Sequence, residues 1–302
     1  MTQDFYQQYI EKEGGISGIL KQIPERDSLY SEKNYTDADF FQFSKAKDIK
    51  KAIEDNLGSV DNNSHSCLVN EWDRHDYACL SGNSSFAMLC YMLGHEDQAR
   101  LIKKSIENKT AFEYGLLFDV IGGTDSVGDG WNSSSRSNSS FAMLCYLLGH
   151  EDQARTIKRS IEDKIGFKDG LVRDSISYAG SDACSNSNFA ILDYAFGNKK
   201  RAKSIKNAII EKIGFKKNLI RFNIKEPYLK VDTNSSFSLL CYLLGDKSQS
   251  KEIKQTIEET FSFKNDLIRD RDFIPGISSN SNALYALLCI ADKFKQEVDL
   301  RR

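Results

Sequence analysis

The sequence predicts an all-α fold in which an inner ring of apolar helices is surrounded by an outer ring of amphipathic helices. Three observations lead to this prediction. A segment recurs at nearly constant spacing, each copy contains a short helix that is apolar on almost every side, and a helix with one apolar stripe follows it. Such periods are typical of proteins in which each unit buries its apolar face against its neighbours.

The recurring segment is clearest in residues 82–100 and 137–155, which are nearly identical. Weaker copies begin at Ser185 and Thr233, and a truncated copy begins at Ser279. The equivalent positions are taken as Phe86, Phe141, Phe189, Phe237 and Ala283, which gives spacings of 55, 48, 48 and 46 residues. We therefore expect one domain over residues 1–302, with clear units at 82–136, 137–184, 185–232 and 233–278, a truncated unit at 279–302 and a divergent N-terminal part at 1–81.

Each unit is predicted to begin with an inner helix, as in residues 141–148, which must be covered on all sides because it has no polar face. A turn at Gly149 leads to an outer helix whose apolar stripe is Ala154, Ile157 and Ile161. The same stripe in residues 46–57 predicts a sixth hairpin near residues 30–57. We also expect the unit from Ser279 to close against a helix near residues 4–11.

Composition narrows the function classes. The chain of 302 residues is 40% hydrophobic, and its 41 basic and 43 acidic residues give a net charge of −2. This balance provides no attraction to nucleic acid or to anionic membranes. The sequence shows no signal peptide and no apolar run close to the ~18 residues of a membrane-spanning helix. We expect a cytoplasmic protein with no nucleic-acid or membrane partner, and its oligomeric state stays open.

The seven cysteines indicate a reducing compartment. Cys90, Cys145 and Cys241 share one apolar inner-helix position, and no C-x-x-C pair occurs. Cys67, Cys79 and Cys184 lie in loops or at a helix start and are the candidates for a reactive or metal-binding thiol. A zinc site needs three or four ligands, so Asp182 with Cys184 is incomplete. We therefore predict neither a metal nor a cofactor.

The order of inner helix, short turn, outer helix and Gly-Leu-x-x-Asp return loop resembles α/α-toroid proteins over about residues 30–295. Two branches are similar: the six-hairpin glycosidase-like enzymes, and the prenyltransferase and terpenoid-cyclase-like toroids. The motifs of the second branch are incomplete here, because Asp37-Ala-Asp39 is one Asp short and no downstream histidine accompanies Cys184. The resemblance to the first branch implies an α/α toroid of about six helical hairpins with acidic loops at the inner-helix starts.

Two return loops depart from the repeat and are predicted to cover the mouth where the inner helices begin. They carry both tryptophans of the chain, each flanked by acidic residues. A Trp face suits stacking on a sugar ring, and paired carboxylates suit general acid–base catalysis. The predicted catalytic residues are Asp73, Asp76, Asp125 and Asp129, and the predicted substrate-binding residues from these loops are Trp72, His75, Trp131 and Arg136.

Asn and Ser residues at each inner-helix start are expected to act as N-caps, although a ring of them also suits a polyhydroxylated ligand. Asn138 and Asn186, together with Asp174, Asp182 and Asp270, are therefore further substrate-binding candidates.

Asp193 replaces the repeated Cys inside an apolar helix, so it must be paired, hydrogen-bonded or neutral. We expect a bond to a Ser, a Tyr or the backbone of a neighbouring helix, with a raised pKa as the alternative.

These observations favour a carbohydrate-active enzyme, with a glycoside hydrolase-like activity on a small-molecule or oligosaccharide substrate. The catalytic groups would be loop carboxylates at the mouth of the toroid. Two alternatives stay open: a terpenoid- or prenyl-type toroid enzyme, and a non-catalytic binding scaffold.

Overall fold

A computed structural model describes residues 37–57, 68–70, 78–110, 112–121, 133–176, 178, 180–226, 228–270 and 276–302. This part of the chain contains eleven α-helices and five antiparallel pairs of two-residue strands. One helix continues into a π-helical turn at Ile161–Ile165. In the described ranges, no helix is long and apolar enough to cross a membrane.

Five inner helices form a closed ring, in which each packs against the next and the last packs against the first. They are α2 (Leu80–Met92), α4 (Ser135–Leu147), α6 (Ala183–Ala195), α8 (Val231–Leu243) and α10 (Ser279–Cys289). The outer helices are α1 (Asp37–Leu57), α3 (Glu96–Lys109), α5 (Glu151–Ser160), α7 (Lys199–Lys212) and α9 (Lys247–Thr260). The predicted α/α toroid is therefore confirmed, and the described ring contains five hairpins.

The ring closes by a route that the sequence did not reveal. Helix α1 packs against α10 and supplies the outer helix that the C-terminal unit lacks. The described part of residues 30–57 is thus one outer helix and not a sixth hairpin. The stripe of Ala46, Ile49 and Ile53 is fully buried as expected, but a local stripe does not specify which inner helix it covers. The helix expected near residues 4–11 lies outside the described residues.

Four of the outer helices, α3, α5, α7 and α9, are each followed by a small β-hairpin. In the third unit, residues 137–184 when the N-terminal part is counted as the first, β5 (Phe167–Lys168) pairs with β6 (Leu171–Val172) across Asp169 and Gly170, which have φ of 54° and 81°. This left-handed conformation is typical of two-residue hairpin turns. The other hairpins are β2 (Phe112–Glu113) with β3 (Leu116–Leu117), β7 (Phe215–Lys216) with β8 (Leu219–Ile220), and β9 (Phe263–Lys264) with β10 (Leu267–Ile268). Strand β1 (Ala78–Cys79) pairs with β4 (Val120–Ile121).

One asparagine in each unit ties the inner helix to the chain segment that precedes it. The Asn186 Oδ1 atom accepts from the Val172 N–H at 2.7 Å, and its Nδ2 donates to the carbonyls of Val172 and Asp182 at 3.1 and 2.8 Å. The same three bonds recur in every described unit, at Asn83, Asn138, Asn234 and Asn282. We call this arrangement the asparagine clamp.

The clamp corrects two expectations. The asparagines are not N-caps, because they lie within the first helical turn, and the capping side chains are Cys79, Ser134, Asp182 and Ser278. The fifth equivalent position is Tyr285 and not Ala283, since it follows Asn282 by three residues. Its ring packs edge-on to Phe263 at 5.8 Å, as Phe189 packs on Phe167 at 5.4 Å. The last repeat therefore also spans 48 residues.

Helix α11 (Ala291–Arg301) crosses the mouth where the inner helices end, and it contacts α4, α6, α8 and α10. The Tyr91 hydroxyl donates to Glu297 at 2.7 Å and the Tyr194 hydroxyl donates to Asp299 at 2.9 Å. Phe294 points into the ring, where it borders an internal cavity of only about 20 Å³. The ring is therefore filled and closed at this end, and the opposite mouth holds the longer loops.

Candidate functional site

The two tryptophan loops lie outside the described residues. The roles predicted for Trp72, Asp73, His75 and Asp76, and for Asp125, Asp129 and Trp131, therefore stay predictions. The remaining candidates belong to described parts of the same mouth: Arg136, Asn138, Asp174, Asp182, Asn186 and Asp270.

Asp174 and Asp182 form a carboxyl pair at the start of α6. Asp182 is the N-cap, and its Oδ1 accepts from the Ser185 N–H at 2.7 Å. The Ser185 hydroxyl lies 2.7 Å from Asp182 Oδ2 and 3.0 Å from Asp174 Oδ1. Both carboxyl groups therefore converge on the Ser185 hydroxyl and form a pair at the start of the helix.

The environment of this pair favours the protonated form. Burial raises the pKa of Asp182 to about 7, the neighbouring Asp174 carboxylate adds to the rise, and Arg136 and Ser185 oppose it. A carboxyl group that titrates near neutral pH can donate and accept a proton under ordinary conditions. Asp174 and Asp182 are thus better candidates for acid–base chemistry than for substrate binding alone.

The repeat provides internal comparisons for this pair. The main-chain carbonyl of Asp174 accepts from the first turn of the neighbouring inner helix, and the carbonyls of Asp119, Phe222 and Asp270 do the same. The equivalent pairs are Asp119 with Ser134, Phe222 with Lys230, and Asp270 with Ser278. Ser134 donates to Asp119 at 3.1 Å, and Lys230 Nζ lies 3.9 Å from the Phe222 ring centroid. Among these pairs of the described units, Asp174 with Asp182 is the one in which both residues carry a carboxyl group.

Asp270 does not join the pair. Its carboxylate accepts from the Ser281 hydroxyl in its own unit, as Asp174 accepts from Ser185. Asn138 and Asn186 are completely buried, and their amides form the asparagine clamp. The structure therefore gives these asparagines a role in the scaffold.

An open cleft of about 670 Å³ lies against the carboxyl pair, between the return loops of the third and fourth units. Asp174, Asp182, Tyr178 and Phe222 contribute to its wall. Tyr178 is 50% exposed, and a Cβ atom on Gly180 would lie 2.2 Å from its ring. The glycine therefore leaves the space that the ring occupies. The cleft combines an aromatic face with a pair of carboxyl groups.

Arg136 connects the site to the centre of the ring. Its Nη1 atom donates to Asp232 Oδ2 at 2.9 Å, so the side chain links α4 to the non-adjacent helix α8. Asn280 Nδ2 lies 3.4 Å from the same oxygen, and Asn280 Oδ1 accepts from the Ser85 hydroxyl at 2.9 Å. The predicted Arg136 thus belongs to a polar network that joins four inner helices. Its charge also acts on both Asp174 and Asp182.

Sequence reasoning missed Asp232 and Asn280. Burial alone would raise the pKa of Asp232, but Lys230, Arg136 and bonds from Thr233 hold it below its ordinary value. A sequence signal was present, because the position two residues before each clamp asparagine differs in every unit. It is occupied by Ser81, Arg136, Cys184, Asp232 and Asn280.

No protein-family model matches the chain, and no curated protein matches it. Solved structures do. D-mannose isomerase matches with a TM-score of 0.54 and 10% identity, over 84% of this chain and 87% of that one. A variant of reducing-end-xylose releasing exo-oligoxylanase, complexed with xylobiose, matches with a TM-score of 0.52 and 12% identity, over 89% of this chain and 88% of that one. A family 76 glycoside hydrolase from a bovine Bacteroides thetaiotaomicron strain matches with a TM-score of 0.51 and 11% identity, over 83% of this chain and 78% of that one.

The chain shares the α/α-toroid fold of these three enzymes. The α/α-toroid resemblance predicted from the sequence is therefore confirmed. At these identities the likeness shows the fold alone.

Cys184 is buried behind this mouth, with its Sγ atom 3.7 Å from the Ser236 hydroxyl. Burial and the nearby Asp232 raise the pKa of the thiol well above its usual value, so the reactive thiolate is disfavoured. In the part of the chain that the structure covers, no group of three or more His, Cys, Asp or Glu side chains could hold a metal ion. Asp182 and Cys184 gain no further ligand there.

Asp193 is fully buried and paired with cations. Arg201 of α7 binds both of its carboxylate oxygens, and Lys158 Nζ lies 3.1 Å from Oδ1. The bond expected from a Ser, a Tyr or the backbone is therefore replaced by an ion-pair network between helices. Neutralising cations make the buried charge tolerable. Asp193 belongs to the scaffold.

Proposed function

We propose that this toroid is a carbohydrate-active enzyme with a glycoside hydrolase-like activity, and that Asp174 and Asp182 form its acid–base group. The observation that carries the proposal is the carboxyl pair beside the open cleft. Its pKa near 7 suits a group that must hold a proton before reaction and release it during reaction. Asp174 is half-buried, whereas Asp182 is only 5% exposed and lies behind it.

A sugar is the substrate class that the cleft supports best. Tyr178 offers an exposed aromatic face, and Phe222 stacks on Tyr228 with ring centroids 5.2 Å apart. Aromatic faces pack against the apolar C–H faces of sugar rings, while the carboxyl, amide and amine groups of the wall suit hydroxyl groups. The structural neighbours named above include an isomerase of mannose and enzymes that cleave glycosides, which supports the same substrate class.

In a hydrolysis step, the pair donates its proton to the glycosidic oxygen as the bond to the sugar carbon breaks. Water then adds to that carbon and loses a proton to a carboxylate. Because both contact the Ser185 hydroxyl, we assign Asp174 and Asp182 to one proton-holding group and not to the separated acid and base that flank a sugar in a glycosidase. We propose that a loop acid, from among Asp73, Asp76, Asp125 and Asp129, supplies the second carboxylate.

Around this centre we propose binding roles for the remaining loop residues. Trp72 and Trp131 would stack on sugar rings, and His75 would donate to a sugar hydroxyl. Arg136 is a positioning residue, because its bond to Asp232 fixes a positive charge close to the carboxyl pair. The terpenoid alternative requires a large apolar cavity, whereas the cavity bordered by Met143, Ile191 and Leu239 of the described inner helices measures about 20 Å³.

The test is an activity screen with aryl glycosides, oligosaccharides and free aldoses, in which the products are resolved by chromatography. With a substrate found, Asp174→Asn and Asp182→Asn should each lower kcat/KM by about 10²- to 10⁴-fold, the usual contribution of acid–base groups. The matched control is Asp270→Asn, which changes the equivalent carboxylate of another unit and should lower kcat/KM by less than about threefold. Binding of sugars without turnover would instead favour the non-catalytic scaffold. Equal losses of kcat/KM in Asp174→Asn, Asp182→Asn and Asp270→Asn would refute the proposed acid–base site.

A further inference from the structure

The inner helices end in a second set of equivalent residues, four tyrosines at the mouth that α11 crosses. Three of them bond to acids of α11: Tyr91 to Glu297, Tyr194 to Asp299 and Tyr242 to Asp292. Tyr146 is the exception. It is only 4% exposed, and its hydroxyl has no hydrogen-bond partner in the described part of the chain.

Tyr146 lines a cavity of about 450 Å³ on this side of the ring. Four cationic side chains share the wall, Arg155, Lys199, Arg301 and Arg302, against the carboxylates of Glu151 and Asp299. The described wall therefore carries an excess of positive charge. Because α11 covers the end of the ring, this cavity is separate from the cleft at the carboxyl pair.

The cations are held in place around Tyr146. The Arg155 guanidinium lies 4.6 Å from the Phe196 ring centroid, and Phe196 packs edge-on against the Tyr146 ring at 5.2 Å. Arg155 pairs with Glu151, Arg302 with Asp299, and Arg301 with Glu297 outside the wall. Lys199 is exposed, its Nζ lies 5.3 Å from the Tyr194 ring centroid, and none of the described carboxylates pairs with it. Lys199 is thus the one cation of the described wall without a carboxylate partner, beside a buried hydroxyl without a hydrogen-bond partner.

We propose that this cavity binds a small oxyanion of phosphate size. A buried hydroxyl without a partner is unfavourable, and an oxyanion can accept its hydrogen bond. Arginine and lysine donate to the remaining oxygens, and charge-assisted bonds of this kind are the stronger ones. The ligand is inorganic phosphate or the phosphoryl group of a larger molecule such as a sugar phosphate. The site is independent of the function proposed for the opposite mouth.

The experiment is isothermal titration of the full chain with inorganic phosphate, at constant ionic strength and with chloride as the comparison ion. We expect Tyr146→Phe and Lys199→Ala to weaken phosphate binding by about fivefold to tenfold each. Tyr242→Phe is the matched control, since it removes an equivalent hydroxyl that already has a partner outside the cavity. It should leave the phosphate affinity within about twofold of the unchanged chain.

Stability measurements separate binding from folding. Without phosphate, Tyr146→Phe should not lower the melting temperature, because no bond is lost, whereas Tyr242→Phe should lower it. Glucose 6-phosphate binding more tightly than phosphate, with the same dependence on Tyr146, would assign the site to a phosphoryl group on a larger molecule. Phosphate that stabilises no more than chloride, or that binds Tyr146→Phe as well as the unchanged chain, would overturn the proposal. If Tyr146→Phe does not fold, Lys199→Ala provides the test, and an unchanged phosphate affinity in that variant would overturn the proposal.

Discussion

The units that contain α6 and α10 have the same scaffold but different charges. Both use the asparagine clamp, at Asn186 and Asn282, and both stack an aromatic ring on their β-hairpin. They differ at the N-cap of the inner helix, which is Asp182 beside Asp174 in the α6 unit and Ser278 beside Asp270 in the α10 unit. They differ again inside the helix, where Asp193 occupies the position of Cys289. The scaffold is therefore constant, and the candidate chemistry depends on a few charged exceptions.

One of these exceptions is a paired exchange. In three other units, the buried Cys is followed eight residues later by Gln, as in Cys241 and Gln249, whose Sγ and Oε1 atoms are 3.3 Å apart. In the α6 unit the same two positions hold Asp193 and Arg201, which form an ion pair. A buried carboxylate requires a cation, so the two replacements depend on each other.

The largest expected effect on the free energy of unfolding comes from replacing one member of the Asp193–Arg201 pair. Asp193→Cys and Arg201→Gln should each lower the free energy of unfolding by about 3–5 kcal/mol, because each leaves the other charge without its main partner. The double variant restores the Cys–Gln pattern of the other units and should lie within about 1 kcal/mol of the unchanged chain. Urea denaturation of the four proteins measures this coupling. Simple additivity of the two single changes would show that the pair is not one unit.

Loss of the clamp asparagine should lower the free energy of unfolding equally in the two units. Asn186→Ala and Asn282→Ala each remove three buried hydrogen bonds and leave main-chain N–H and C=O groups unpartnered. We expect each to lower the free energy of unfolding by about 3 kcal/mol. Denaturation midpoints at one pH provide the measurement. A loss confined to Asn186→Ala would mean that the α6 unit has a scaffold of its own.

Much of the fold could be predicted because its signals are local. Apolar helices, the amphipathic stripe and the turn glycines recur within each unit, and each of them depends on neighbours in sequence. Ring closure is not local, so the pairing of α1 with α10 was missed. The asparagines looked like caps because the residue type favours that role, but each has a main-chain partner 14 or 21 residues earlier, as Asn186 has Val172 and Asn138 has Leu117.

The candidate site was predicted in part for the same reason. Asp174 and Asp182 were recognised as acids near the mouth, but the sequence could not show that they converge on one hydroxyl group. That contact depends on how the return loop folds back over Ser185. The link from Arg136 to Asp232 joins residues 96 positions apart, and no local pattern contains it. Charges that interact across the ring are therefore the part that requires a structure.

The carboxyl pair should also make the stability of the α6 unit depend on pH. The pKa of Asp182 is about 7 in the folded protein and 3.8 as its ordinary value. Between these values the folded state binds more protons than the unfolded state, so stability falls as the pH rises. From pH 5 to pH 7 this loss amounts to about 2 kcal/mol. Asp182→Asn should remove it, which urea midpoints at pH 5, 6 and 7 would show.

The reciprocal variant makes the comparison sharper. Ser278→Asp places a second carboxyl beside Asp270, in the arrangement that Asp182 has beside Asp174. If proximity of two buried carboxyls causes the pH dependence, this variant should add a loss of the same sign over the same pH range. Ser278→Asn is its uncharged control and should leave the slope unchanged. A slope that is identical in the unchanged chain, Asp182→Asn and Ser278→Asp would show that the carboxyl pair does not hold a proton in this pH range, and the acid–base assignment would fail with it.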